Sequence, residues 1–156
     1  MAVNRGKDFE KKLKEDFSKI PESFIYRLPD QTSGFYGGKN VADFFGYKKP
    51  YFFLLEAKSI SGNTFPITNF TQFEKQKEFV NIPGLRKGVV IWYTEKDRVI
   101  YVPLKTIEMM LQDGKKSVNI RTIDSENYDF VDIPSVKKRV FMDSDYSVLL
   151  DLPDEW

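Results

Sequence analysis

The chain has 156 residues, enough to bury a core, and reads as one domain, but it contains no cysteine and no histidine. That excludes disulfides, thiolate zinc sites, cysteine nucleophiles, imidazole bases and Ser-His triads, and leaves carboxylates, lysines, hydroxyls or a hard, oxygen-liganded metal such as magnesium for any chemistry. The net charge of +1 conceals an asymmetry: residues 1–120 hold 20 Lys and Arg against 14 Asp and Glu (+6), and residues 121–156 hold 4 against 9 (−5). A mildly basic body with an acidic end is compatible with a polyanionic partner.

In chain order, residues 6–20 predict an amphipathic helix with Phe9, Leu13, Phe17 and Ile20 on one face, ended by Pro21. Ser23–Leu28 predicts a strand. The segment "PDQTSGFYGGKNV", with Gly34, Gly37 and Gly38, predicts a loop or a flexible hairpin. Strands over Ala42–Tyr47 and Tyr51–Lys58 flank a turn at Lys48-Lys49-Pro50. "SISGNTFPITN" reads as a loop, and Thr71–Val80 as a helix capped by Asn69 or Thr71. Gly88–Tyr93 is continuously apolar, the pattern of a buried strand. A turn at "TEKDR" leads to a strand over Val99–Pro103, then a helix over Leu104–Gln112 stops at Asp113-Gly114. "SVNIRTI" and "RVFMDSDYSVLL" fit either edge strands or a short helix. The order αβββαββα predicts a mixed α/β (α+β) domain. The domain spans 1–156, with its core over about 4–112 and the acidic segment 121–156 packed on the core or trailing it. The opening "MAVNRGKDFEKK" has no apolar h-region, and no run approaches the roughly 20 apolar residues of a bilayer span. The expectation is a soluble, cytoplasmic protein without a membrane partner.

The third strand, "YFFLLEAK", ends on charge. Alternation puts Phe52, Leu54, Glu56 and Lys58 on one face and Phe53, Leu55 and Ala57 on the other. If the second and third strands form an antiparallel hairpin about Lys48–Pro50, Asp43 returns close to Glu56. Two carboxylates and the Ala57 carbonyl would then make a hard-metal site, with Lys58 beside it to position or deprotonate a water or to stabilise a phosphorane. Spacing alone also fits a solvated strand end. Acid-x-Lys triplets occur three times, at Glu10–Lys12, Glu56–Lys58 and Asp113–Lys115, and only the second closes an apolar strand with an acid on its neighbour.

Asp43 with Glu56-Ala57-Lys58 resembles the core of the PD-(D/E)XK nuclease superfamily, with Ala42 where that signature has proline. "NRGKDFE" (Asn4–Glu10) and "TFPITNF" (Thr64–Phe70) resemble two further motifs of the RecU family of Holliday-junction resolvases, in order and at similar distances. The resemblance implies a restriction-endonuclease-like core, a mixed central sheet flanked by helices. It implies a magnesium-dependent (alternatively manganese-dependent) endodeoxyribonuclease that cleaves four-way or otherwise branched DNA in recombination and repair. It also implies a homodimer, of a compact phage type, in a bacterial or phage-infected cell.

Residue by residue, Asp43, Glu56 and the Ala57 carbonyl resemble the metal ligands, Lys58 the catalytic lysine and Glu10 an acid supporting the metal site. Arg5 resembles an arginine near the DNA backbone, and Lys7, Lys48 and Lys49 are further candidates for phosphate contacts. Where the family has a glutamine after "TFPITNF", this chain has Glu74, flanked by Gln72 and Gln76. These two share a helix face and could substitute for it at the DNA, the other reading being a solvated face. The segment from Asp30 to Val41 is shorter than the family's stalk, and its Phe35 and Tyr36 could stack on unpaired bases or form a plain loop. Alternatives are another endonuclease of the same superfamily, restriction-type or flap-cutting, and a DNA-binding relative without cleavage.

Overall fold

The computed structural model describes residues 4–29 and 40–156. The loop aromatics Phe35 and Tyr36 lie outside the described residues. Helix α1 (Arg5–Phe17) starts at Asn4, whose side chain accepts a hydrogen bond from the Lys7 N–H at 3.2 Å. It buries Phe9, Leu13 and Phe17. Strand β1 (Phe24–Arg27) is followed by β2 (Phe44–Lys48) and β3 (Tyr51–Ile60), which form the predicted hairpin about Lys49-Pro50. The segment read as a loop contains a short strand, β4 (Thr64–Pro66), and a 3-10 turn over Ile67–Asn69. Helix α2 is only Phe73–Lys77, shorter than expected.

Strand β5 (Leu85–Tyr93) begins three residues before the apolar run, because Arg86 and Lys87 are buried strand residues. Strand β6 (Arg98–Pro103) and helix α3 (Leu104–Gln112) follow closely as predicted. The two ambiguous C-terminal stretches become β7 (Ser117–Asn119), then β10 (Phe141–Ser144) with a 3-10 turn over Tyr146–Leu150. Between them lie β8 (Val131–Asp132) and β9 (Ser135–Lys138), which the sequence pattern did not indicate.

Six strands form the central sheet in the order β1-β2-β3-β5-β6-β8. The β3–β5 pair is parallel and the other neighbours are antiparallel, so the sheet is mixed. Alternation sorts its side chains into two cores. Phe53, Leu55, Ala57, Val90 and Trp92 pack under α1 and the β9–β10 hairpin. Val89, Ile91, Tyr93, Ile100 and Val102 pack under α3, α2 and the β4–β7 pair. Gly88 sits where β5 crosses the end of β6; a Cβ there would collide with the Val102 carbonyl oxygen and approach the Tyr101 ring to 2.8 Å.

The acidic C-terminal segment packs on this frame. Tyr146 and Leu149 join the α1-side core. The Arg86 guanidinium, itself 1% exposed, stacks 3.7 Å over the Tyr51 ring and donates to the carbonyls of Leu152 (2.7 Å) and Pro153 (2.9 Å). Tyr51 closes the strap by donating its hydroxyl to Asp154 at 2.5 Å.

Candidate active site

The hairpin register sets the site. Phe44 lies opposite Leu55, so the next residue outward on each strand brings Asp43 beside Glu56. The β2–β3 ladder stops there, and the Ala57 N–H, which another strand residue would have taken, donates to Asp43 Oδ2 at 2.9 Å. A residue's N–H and C=O leave a strand on the same edge, which directs the Ala57 carbonyl towards Asp43 as well. The second carboxylate oxygen of Asp43 accepts from Gln72 Nε2 at 3.2 Å.

Glu56 has no solvent exposure at all. Its Oε1 accepts from the Thr71 backbone N–H (3.1 Å) and hydroxyl (2.9 Å) and lies 3.4 Å from Lys58 Nζ. Its Oε2 is buried without a hydrogen-bond partner among the described residues. Burial pushes the Glu56 carboxyl up from 4.5 to about 7; the Lys58 charge and the Thr71 donors pull it down, while the Asp43 charge adds to the rise. A buried carboxylate oxygen without a donor, next to a second carboxylate, is the arrangement that a bound cation relieves. Two carboxylates and a backbone carbonyl are all oxygen donors, the set that magnesium or manganese takes. The described residues bring together no group of three or more acidic side chains for a metal, so the protein's share of such a site would be Asp43, Glu56 and the Ala57 carbonyl.

The other sequence candidates are placed as follows. Glu10 is ion-paired with Arg27 at 2.7 Å, and Arg27 pairs with Phe44, the residue after Asp43. Glu10, Lys7, Lys11, Lys14 and Arg27 share a cleft of about 370 Å³ on the α1 side of the sheet. Arg5 lines another cleft, of about 450 Å³, with Ser59, Ser61, Thr94 and Glu95, just past the end of β3. Gln72 reaches the site through Asp43.

Gln76, Lys48, Lys49 and Thr71 complete the placement. Gln76 is fully buried with neither amide atom partnered among the described residues, so it does not lie on a solvated face. Lys48 and Lys49 lie at the far end of the hairpin, five residues or roughly 16 Å along β2 from Asp43. Lys48 donates there to the Pro21 carbonyl at 2.7 Å. These two lysines are therefore remote from the carboxylates, because a hairpin carries its turn and its open end at opposite edges of the sheet. Thr71, read in the sequence only as a cap, is instead the residue that holds Glu56; its adjacency to Gln72 right after "TFPITNF" was the available signal. A cleft of about 600 Å³ between Ile82, Lys87, Lys105 and Asp154 opens at the start of β5, away from this chemistry.

A family model described as "RecU: Recombination protein U" matches residues 17–140, most of the chain and every residue of the Asp43–Glu56–Lys58 cluster. The chain belongs to the RecU family. RecU proteins are Holliday-junction resolvases, acting on branched DNA in recombination. The "NRGKDFE" motif lies ahead of the matched span. Among solved structures, Hjc of the archaeon Archaeoglobus fulgidus, a Holliday junction resolvase, superposes with a TM-score of 0.56 over 76% of this chain and 92% of that one. At 14% identity that likeness concerns the fold, a restriction-endonuclease-like core. No curated protein matches in sequence.

Proposed function

We propose that this RecU-family protein cuts four-way DNA junctions by metal-dependent hydrolysis at the Asp43–Glu56–Lys58 cluster. The observation that carries the reading is the Glu56 Oε2 atom, buried and without a donor beside Asp43. Asp43, Glu56 and the Ala57 carbonyl would hold the ion. Magnesium, or manganese in its place, supplies charge neutralisation at the phosphate and an acidified water when bound. Thr71 fixes one oxygen of Glu56 with two donors and so leaves the other for the ion. The Ala57 N–H and Gln72 orient Asp43 with one donor on each oxygen, and each oxygen keeps a lone pair for the ion. Lys58, with a side chain one-third exposed, is held 3.4 Å from Glu56 Oε1 and presents its ammonium to the developing negative charge or to the attacking water. Glu10 acts from behind through Arg27, and Arg5 and Lys7 bind phosphates on the α1 side.

Cutting two strands related by a two-fold axis calls for a symmetric pair of sites, and so for a homodimer. The apolar surface suited to it is the aromatic face of β1–β3. There Tyr26 (60% exposed) stacks on Phe45 with ring centres 5.8 Å apart, beside Phe24 and Phe52. Light scattering should give the mass of a dimer, and of a monomer after Tyr26→Glu.

The activity is tested with a synthetic four-way junction, with and without magnesium. Asp43→Ala and Lys58→Ala should each abolish incision and keep junction binding. Incision that persists in EDTA or in Asp43→Ala would overturn the assignment, and equal cutting of linear duplex would favour a general nuclease.

A further inference from the structure

The C-terminal segment is acidic overall, yet its β9–β10 hairpin ends in a basic, exposed turn. The β9–β10 hairpin turns through Arg139 and Val140, with Lys138 paired to Phe141 and Lys137 to Met142. Lys137, Lys138, Arg139 and Val140 are all exposed. Lys137 is tied 3.0 Å from Asp97 in the β5–β6 turn. Lys138 and Arg139 make no ion pair among the described residues. The nearest acid on the hairpin, Asp143, is taken by Lys12 at 2.5 Å. The turn also places Arg139 at φ 51°, a conformation suited to glycine. A charged residue stands where the backbone favours none.

Its location gives these charges a use. The Phe141 ring packs on Trp92 at 5.9 Å, and Trp92 lies opposite Ser59, one residue past Lys58. Arg5 lines the cleft formed by Ser59, Ser61 and Thr94 at the same end of the sheet. The β9–β10 tip, the β5–β6 turn, Arg5 and the Glu56–Lys58 end of β3 thus all lie at one end of the molecule. The hairpin packs on the α1 face of the sheet, the face that Arg5 and Lys7 share, whereas Glu56 and Lys58 point to the other face with their partners Val89 and Ile91. A duplex reaching both would pass around this end of the sheet.

We infer that the β9–β10 hairpin, through Lys138 and Arg139, is a second DNA-backbone contact that grips the duplex arm on the α1 side of the cut. The inference rests on the resolvase reading. It adds an element that binds without sequence preference and takes no part in the chemistry.

The test is the double variant Lys138→Gln/Arg139→Gly. Glycine relieves the left-handed turn, so the variant should melt at or above the wild-type temperature, and loss of binding cannot be put down to unfolding. Binding to a four-way junction and to plain duplex is measured in calcium, to hold cleavage off, across a salt series. Loss of two phosphate contacts should make the slope of log K against log salt shallower by about 2 and weaken binding by up to roughly 60-fold at 0.1 M salt. KM should rise with kcat at saturation unchanged, and shortening the arm stepwise should erase the difference between the two proteins once the arm no longer reaches the hairpin. If the wild type binds and cuts while the variant keeps its affinity and salt slope, the hairpin assignment is wrong and the resolvase reading stands. If the wild type neither binds nor cuts junctions, both fall.

Discussion

Replacing Glu56 by glutamine should stabilise the metal-free protein at neutral and alkaline pH while destroying its activity. In the folded state the carboxyl is pushed from 4.5 to about 7, chiefly by burial. A carboxyl with a raised folded pKa favours the fold in its neutral form. Its contribution is therefore fully present below pH 4.5, is lost as pH rises through about 7, and changes no further above that. From 4.5 to about 7, at about 1.36 kcal/mol per pH unit, the charged form costs the fold about 3 kcal/mol. Glutamine keeps the shape and the Thr71 bonds and carries no charge, but it puts an NH₂ where Oε2 has no partner, which returns about 1 kcal/mol or more of the gain. The net expectation is a variant more stable by about 1–2 kcal/mol at pH 8, or a melting temperature higher by about 2–8 °C, and less stable by up to about 1 kcal/mol at pH 4.5, where the charge costs nothing and only the unpartnered NH₂ counts. Thermal unfolding by circular dichroism in EDTA at both pH values measures it. Magnesium should raise the wild-type melting point at pH 8 and leave the variant unmoved. A variant no more stable than wild type at pH 8, or a difference equal at both pH values, would refute the claim that an uncompensated buried charge sits at this position.

Thr71→Val removes the hydroxyl bond to Glu56 and keeps the backbone one. Because that bond pulls the carboxyl down, its loss should raise the pKa further and reduce cleavage about 10- to 100-fold at pH 7, with a smaller deficit at pH 9, read from a pH–rate profile at fixed magnesium. Gly88→Ala should cost about 3 kcal/mol in urea unfolding, since the new methyl meets the Val102 backbone carbonyl, which cannot swing aside as a side chain could. Arg86→Ala removes two hydrogen bonds from a cation and its stacking on Tyr51. It should cost about 3 kcal/mol and expose the last residues to carboxypeptidase, while junction binding is retained.

What the sequence reveals of this site, and what it hides, follows from how local each feature is. The hairpin was legible because a turn signal at Lys48–Pro50 and two apolar strands fix one register, and that register alone carries Asp43 to Glu56. The two cores were legible through alternation along β3, β5 and β6. Arg86 and Lys87 were not: charges argue against a buried strand, and it takes the C-terminal carbonyls, some 66 residues away in sequence, together with the Tyr51 ring to make Arg86 tolerable there. Thr71 and Gln72 were hidden for the same reason. A cap and a surface glutamine are what local rules propose for such residues, and their bonds to Glu56 and Asp43 exist only once the "TFPITNF" segment has folded over the sheet on Phe65, Ile67 and Phe70. The acids that would bind a metal can thus be read from strand pairing, whereas the residues that orient those acids depend on the packing of the second core. Substitutions in that core, far from the reacting atoms, should then disturb activity through the angle at which Thr71 meets Glu56 rather than through loss of a ligand.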